Sequence, residues 1–295
     1  MPTFTRRQLL IASVLAPLAA APLSEIKLGV TTDEIDEDLL TAAQFLKTFG
    51  LSYAEIRSIW GKYNTAQPLD KIREARKICD EYGIHVSIEG TAFFKAPLPP
   101  DQKALDEQWA LLDASMERAK TFGTGKIRVF AFTTSQPGDK KEYTRIYELV
   151  REAAQRARKS GLRLALENVG GSYVATGAQA AELLKNVKED NLGLTWDPNN
   201  AAASGERPFP DGYRLLDPAR IFHVHLRDFR HLPGGKVEWT AVGEGEFDNI
   251  GQIRALRKDG YQETFTLETH WRSPKGKAFA TSTSLKALLQ VIERV

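Results

Sequence analysis

The chain has 295 residues, of which 42% are hydrophobic and 26% are charged, and its formal net charge is +2. This composition argues against a disordered chain and against a membrane-embedded bundle. The single cysteine, Cys79, excludes an internal disulfide and a cysteine-based zinc site.

The first 24 residues are typical of a signal peptide. Paired arginines, Arg6 and Arg7, precede an uncharged apolar run over residues 9–21. That run is shorter than the roughly 20 residues that span a bilayer, but it suits the apolar part of an export signal. The arginine pair resembles a twin-arginine signal, although an amphipathic N-terminal helix is an alternative. We expect a periplasmic or otherwise exported protein, free of the membrane once residues 1–24 are removed, with one domain over residues 25–295.

Charge also bears on the partner of this domain. Arg6 and Arg7 are the only charged residues of the signal segment, so the rest of the chain has equal numbers of basic and acidic side chains. Nucleic-acid-binding proteins usually carry a basic excess or stripe. We therefore expect a small-molecule substrate and no nucleic-acid partner. The sequence carries no signal for an oligomeric state.

Eight short apolar runs alternate with amphipathic stretches along the domain. In one such stretch Leu105, Trp109, Leu112 and Met116 recur at three- and four-residue steps, as on the buried face of a helix. Eight alternations predict a single (β/α)8 TIM barrel of the α/β class. An open doubly wound sheet would need a glycine-rich turn after its first strand, and GVTTDEID is not one. The predicted strands fall in 26–32, 52–60, 85–94, 126–132, 162–169, 192–198, 221–228 and 264–271.

The last four predicted strands end on potential metal ligands. These are Glu167, Asp197, His225 and Glu268. In a TIM barrel the active site lies at the C-terminal ends of the strands, so the four side chains are expected to converge. Three carboxylates and one imidazole form a hard, oxygen-rich set. The sequence predicts one divalent metal ion there, Mn²⁺ before Mg²⁺, Co²⁺ or Zn²⁺.

The alternation of side chains along these strands agrees with that site. Residues two before a predicted ligand are expected to face the barrel interior, and they are small or polar, His223 included. His223 lies about 6–7 Å below His225 along the strand, too far for both to bind one ion. We predict that His225 is the ligand and that His223 is a packed polar residue. The large apolar residues expected to face the helices are Leu164, Leu166, Leu194, Trp196, Phe222, Val224, Phe265 and Leu267.

Five motifs of the chain are the most specific for one family. They are ALENVGGSY (165–173), GLTWDPNN (193–200), HVHLRD (223–228), VGEGEFD (242–248) and TLETHW (266–271). With them the chain resembles the sugar phosphate isomerase/epimerase superfamily, the xylose isomerase-like TIM barrels, over nearly all of residues 25–295. Carried over residue by residue, the ligands of that family fall on the same four positions as the strand ends.

The resemblance implies an activity and a mechanism. It implies a metal-dependent isomerase or epimerase that acts on a small sugar or keto-sugar derivative. The metal would act as a Lewis acid on a developing enediolate. Glu167 and Glu268 would then serve both as metal ligands and as the groups that remove and return the proton beside the carbonyl.

The chain departs from ketose 3-epimerases at the residues that hold the sugar. Tyr173 stands where those enzymes carry a second glutamate, Asn200 where they carry a histidine, and His231 where they carry an arginine. We therefore expect a different set of substrate contacts. The candidates are Arg227, Asn200, His231, Lys236, Glu89, Trp60, His270 and Trp271, with the two tryptophans favoured as stacking surfaces for a sugar ring.

Three other functions are open at this point. A lyase or hydratase acting on a 3-keto sugar would use the same metal and the same proton abstraction. A periplasmic sugar-binding barrel would keep the fold without the chemistry. An endonuclease IV-like nuclease would need a larger histidine set than the five histidines of this chain supply. Export argues against a phosphorylated substrate.

Overall fold

The computed structural model describes residues 26–136 and 138–295, so the predicted signal segment lies outside the described residues. Eight parallel strands close into a barrel in which each strand pairs with the next along the chain and the last pairs with the first. The predicted (β/α)8 barrel is confirmed, with one barrel strand in each predicted run. The barrel strands are β1 Leu28–Thr31, β2 Tyr53–Ile56, β3 His85–Gly90, β4 Lys126–Val129, β5 Arg163–Glu167, β6 Leu192–Trp196, β7 Ile221–Leu226 and β8 Phe265–Leu267.

Local sequence signals set the helix ends. Asp139 and Glu142 form a reciprocal capping box at the start of one helix. Gly83 and Gly123 end two others in the left-handed region, with φ of 66° and 71°, where a side chain would be strained. The helices are α1 Leu39–Thr48, α2 Leu69–Tyr82, α3 Gln102–Phe122, α4 Lys140–Lys159, α5 Gly177–Asn186, α6 Pro198–Ala203, α7 Asn249–Lys258 and α8 Lys277–Ile292.

The main hydrophobic core lies between the strands and the surrounding helices. Leu164, Leu194 and Trp196 belong to it and are almost fully buried, as the alternation predicts. Their burial leaves the inner side of each strand free to carry small and polar residues toward the barrel axis. Across the described residues, none of the helices is both long and apolar enough to cross a membrane.

The interior of the barrel departs from the predicted alternation at one position. Phe222 was expected to face the helices, but it packs with Ile88 and Ala165 in a small cluster separate from the main core. The prediction is wrong because the register between β6 and β7 shifts between Leu194 and Thr195. This shift leaves Phe222 as an extra residue on β7, and such a bulge re-aims a side chain.

Two short antiparallel hairpins extend beyond the C-terminal ends of the barrel strands. The first pairs Ser58–Ile59 with Lys62–Tyr63, after β2. The second pairs Asp228–His231 with Val237–Thr240, after β7. Both lie between a barrel strand and the helix that follows it, so they belong to the end of the barrel where the candidate ligands lie.

Candidate active site

The four predicted ligands meet at the C-terminal end of the barrel. Glu167 is the last residue of β5, His225 lies within β7, and Asp197 and Glu268 directly follow β6 and β8. One potential ligand atom from each lies within 4.8 Å of the other three, and all four residues are buried. The structure therefore brings together the quartet that the strand ends predict.

The spacing of the quartet suits a single ion. His225 Nδ1 lies 3.6 Å from Glu167 Oε1, 3.8 Å from Asp197 Oδ2 and 3.4 Å from Glu268 Oε2. Ligands bound tetrahedrally at about 2.1 Å lie about 3.4 Å from one another. The ring nitrogen and the carboxylate oxygens are thus close to the separations that one shared cation requires.

Hydrogen bonding leaves part of the quartet without a partner. Asp197 Oδ1 accepts hydrogen bonds of 2.9 Å from the backbone N–H groups of Asn199 and Asn200, which begin α6, while Oδ2 accepts one from Arg227 and also faces His225. Among the described residues, His225 Nδ1 makes no hydrogen bond although it is buried. Buried polar atoms seldom stay unpaired. Three carboxylates and an unpaired imidazole nitrogen therefore fit a divalent metal ion.

Three arginines compensate the negative charge of the quartet. Arg128 Nη1 lies 3.2 Å from Glu167 Oε2. Arg57 contacts Glu268. Arg227 binds Asp197 through Nη2, and its Nη1 lies 3.4 Å from Glu268 Oε2. All three arginines lie on or directly after barrel strands, so the network is fixed by the barrel rather than by mobile loops.

These charges keep the two candidate acid/base glutamates ionised. Burial raises the pKa of Glu268, but His270, His225 and Arg227 lower it well below its usual value. Burial likewise raises the pKa of Glu167, and Arg128 and His225 bring it below the usual value. Both side chains are therefore carboxylates near neutral pH, the form that binds a metal or accepts a proton.

The two histidines of β7 have different surroundings, joined by one glutamate. Glu55 Oε2 lies 2.7 Å from His225 Nε2 and 3.4 Å from His223 Nε2. Burial lowers the pKa of His223 to about 4, so its ring is neutral near pH 7. Only His225 reaches the quartet, and the structure places His223 beneath it against Glu55, where the spacing along the strand predicts it.

Three predicted substrate residues lie beside the quartet. Asn200 Nδ2 donates to Glu167 Oε1 at 3.1 Å. The side-chain oxygen Oδ1 of Asn200 accepts a 2.8 Å hydrogen bond from Arg227. His270 Nε2 lies 3.9 Å from Glu268 Oε2. All three residues lie within 4 Å of a carboxylate of the quartet.

Other predicted substrate residues lie elsewhere. His231 is half exposed on the second hairpin and pairs with Glu246 at 2.8 Å. Lys236 is exposed at the turn of the same hairpin. Among the described residues, no hydrogen bond or ion pair joins His231 or Lys236 to the quartet, and their role as substrate contacts stays a prediction.

Glu89 and Trp60 are also directed away from the quartet. A Cβ on Gly90 would lie 2.8 Å from Glu55 Oε1, so position 90 faces the interior and Glu89, its neighbour on β3, faces the helices. Trp60 donates to Asp38 at 3.1 Å and lines a surface pocket of about 260 Å³. The structure thus supports neither as a substrate contact, whereas Trp271 is partly exposed in the loop after β8.

Sequence reasoning missed four residues near the quartet. Glu55 and Arg128 are charged residues inside short apolar strand runs, and Arg57 directly follows β2. A charge within a buried strand is a signal of a polar barrel interior. The ring of Trp239, on the second hairpin, lies 4.4 Å from the guanidinium carbon of Arg227, and no sequence pattern marked it.

Comparisons with known proteins agree with this fold. Inosose isomerase from Bacillus subtilis (strain 168) is 27% identical over 174 residues, which cover 57% of this chain and 62% of that protein. The chain thus matches less than two thirds of that curated relative. A crystal structure of the IOLI protein with a bound zinc atom superposes with a TM-score of 0.77 at 23% identity, covering 91% of this chain and 99% of that one.

A third protein extends the comparison. D-allulose 3-epimerase from Methylomonas sp., in complex with D-allulose, superposes with a TM-score of 0.71 at 16% identity, covering 92% of this chain and 98% of that one. At such identities the two structures establish the fold alone. The profile of one family, described as xylose isomerase-like TIM barrel, matches residues 43–291. The chain belongs to the xylose isomerase-like TIM barrel family.

Proposed function

We propose that this protein is a metal-dependent isomerase or epimerase of a small sugar or keto-sugar derivative. The observation that carries the proposal is the convergence of Glu167, Asp197, His225 and Glu268 at the C-terminal end of the barrel. Inosose isomerase and D-allulose 3-epimerase, to which the chain is similar, act on such molecules by their names. These two relatives support the substrate class, and their names point to different substrates within it.

The quartet would hold one divalent cation. When bound, the cation would polarise a substrate carbonyl as a Lewis acid. We propose Mn²⁺ first, because three carboxylate ligands favour a hard ion, with Zn²⁺, Mg²⁺ or Co²⁺ as alternatives. The zinc atom of the IOLI structure supports a metal of this kind in the fold.

Glu167 and Glu268 would move the proton. One carboxylate takes a proton from the carbon beside the carbonyl, and the other returns a proton to the neighbouring carbon or to the opposite face. Arg128 beside Glu167, and His270 and Arg227 beside Glu268, help to keep both carboxyl groups ionised and able to accept that proton. Asn200 fixes the Glu167 carboxylate through its amide. Proton transfer by a positioned group of this kind contributes about 10²–10⁴-fold to a rate.

Solvent exchange tests the reaction class. The purified protein, loaded with Mn²⁺, is incubated with keto sugars and inososes in deuterated water and followed by NMR. Deuterium at one carbon of an intact skeleton is the expected result. Loss of a ring substituent would instead indicate the lyase reaction, and binding without exchange would indicate a sugar-binding barrel.

We also propose that the protein is exported. The paired Arg6 and Arg7 before an apolar run support a twin-arginine signal. The double substitution Arg6→Lys and Arg7→Lys is expected to retain the protein in the cytoplasm, as measured by cell fractionation. Equal distribution of both forms would contradict the proposal.

A further inference from the structure

Glu55 lies in the middle of β2, beneath the quartet, and no substrate or metal role has yet been given to it. Its side chain is fully buried. One oxygen, Oε2, lies 2.7 Å from His225 Nε2, and the other, Oε1, lies 2.9 Å from Arg128 Nη1. Glu55 therefore contacts a predicted metal ligand from the side opposite to the quartet.

The two nitrogens of the His225 ring face different groups. Nδ1 faces the carboxylates of Glu167, Asp197 and Glu268, while Nε2 faces Glu55. A neutral imidazole carries one N–H, and an ionised carboxylate can only accept a hydrogen bond. A proton on Nε2 satisfies Glu55 and leaves the lone pair of Nδ1 directed at the quartet. The reverse tautomer would set a lone pair against a carboxylate and an N–H against the incoming cation.

We infer that Glu55 is a positioning residue that holds His225 in the Nε2–H tautomer and fixes the ring plane for metal binding. The inference rests on the proposed function, since it takes the quartet to be the metal site. Glu55 acts through His225 and does not itself reach the cation. Carboxylates that hold a metal-bound histidine in this way typically change metal affinity by about 10–100-fold when they are removed.

A separate cation held by Glu55, His223 and His225 is the competing interpretation, since their ligand atoms also cluster. Two observations disfavour it. Arg128, a fixed positive charge, already contacts Glu55 at 2.9 Å. The His225 ring would also have to bind the ion of the quartet through one nitrogen and this second ion through the other. Neither nitrogen could then carry a proton for a hydrogen bond.

Metal affinity of matched glutamine variants tests the inference. Glu55→Gln keeps the shape of the side chain but removes the acceptor charge. Glu89→Gln is the control, because Glu89 is equally buried on the neighbouring strand β3 and faces the helices. We expect Glu55→Gln to raise the Kd for Zn²⁺ by about 10–100-fold, measured by calorimetric titration with a competing chelator. Glu89→Gln is expected to keep the wild-type Kd.

A spectroscopic measurement keeps the inference falsifiable even if Glu55→Gln fails to fold. The ¹⁵N shifts of His225 in the zinc-loaded wild-type protein are expected to show a proton on Nε2 and none on Nδ1. A proton on Nδ1, or the same Kd for Glu55→Gln and Glu89→Gln, would overturn the role of Glu55. Wild-type zinc affinity in Asp197→Asn would instead overturn the quartet as the metal site, and with it the proposed function.

Discussion

The last strand of the barrel carries a glutamate at each end, and the two differ in their surroundings. Glu263, before β8, pairs with Lys126 and Arg163, each at 2.8 Å, at the N-terminal end of the barrel. Glu268, after β8, lies at the C-terminal end beside three arginines but also beside other carboxylates. The side chain of Glu263 is 31% exposed and that of Glu268 only 3%.

The difference separates a stabilising ion pair from a candidate reactive group. Two cations satisfy Glu263, so nothing at that end calls for a further charge. At the other end arginines also lie beside the carboxylates, but His225 Nδ1 makes no hydrogen bond with the described residues, and one ligand atom from each of four residues lies within 4.8 Å of the others. That arrangement of ligand atoms suits a metal ion. TIM barrels generally place function at the C-terminal end and stability at the N-terminal end.

The largest effect on activity is expected when each of the two glutamates is replaced by glutamine, which tests the difference between the two ends of β8. Glu268→Gln is expected to lower kcat/KM by about 10²–10⁴-fold, because it removes a proton acceptor and a metal ligand together. Glu263→Gln, the same change at the other end of the strand, is expected to leave turnover unchanged. Deuterium exchange into the sugar provides the assay. Comparable losses in both variants would remove the distinction between the two ends.

Metal binding should stabilise the fold through the C-terminal end alone. Zn²⁺ at about 100 times its Kd is expected to add roughly 2.7 kcal/mol to the free energy of unfolding, which thermal melts report as a higher Tm. Asp197→Asn should abolish that increase while keeping the fold, since asparagine also starts a helix well at the position that Asp197 occupies before α6. Glu263→Gln should keep the whole increase. A metal-induced rise in the Tm of Asp197→Asn would place the ion elsewhere.

The geometry of the barrel explains which features of the site could be predicted from the sequence. The alternation of apolar residues fixes which side of each strand faces inward, and parallel strands carry their C-terminal residues to one end, so Glu167 and His225 could be placed together. No comparable sequence pattern shows which side chain a buried charged residue pairs with. Arg128 lies inside a four-residue strand, and its pairing with Glu55 depends on the stagger of strands that are 73 positions apart in sequence.

Positions beyond the strands depend on local pairing that the strand pattern does not show. His231 was proposed as a substrate contact because it stands, six residues after His225, where ketose 3-epimerases carry an arginine. In the structure Asp228–His231 pairs antiparallel with Val237–Thr240, and His231 is carried to Glu246. The same hairpin brings Trp239 against Arg227. Backbone pairing outside the repeating unit of the barrel is set by local turns that the repeat does not encode.

Glu89 adds a third case to this comparison, because it is buried like Glu268 but forms no ion pair with the residues that the structure describes. Burial raises its pKa well above the usual value, and Arg118 offsets this only in part. A raised folded-state pKa stabilises the fold below the unfolded pKa and loses that contribution as the pH rises through the folded value. The wild type is therefore expected to lose stability relative to Glu89→Gln as the pH rises from 5 to 8. Urea unfolding at both pH values measures this, and an unchanged difference would contradict a protonated Glu89.

Glu263 should show the opposite pH dependence with a smaller amplitude. Burial raises the pKa of this carboxyl, but Lys126 and Arg163 lower it to about 2. A depressed folded-state pKa stabilises the fold above the unfolded value and loses that contribution as the pH falls toward 2. Glu263→Gln is expected to cost about 1 kcal/mol at pH 7, since the side chain is partly solvated and screened, and nothing near pH 2. A falling pH thus removes the stabilisation by the Glu263 ion pairs, whereas a rising pH removes the stabilisation at Glu89. Urea unfolding of the two variants across pH would therefore distinguish a paired carboxylate from an unpaired one. If the free energies of unfolding of both variants changed with pH in the same direction, burial and not ion pairing would govern the pKa of both carboxyl groups.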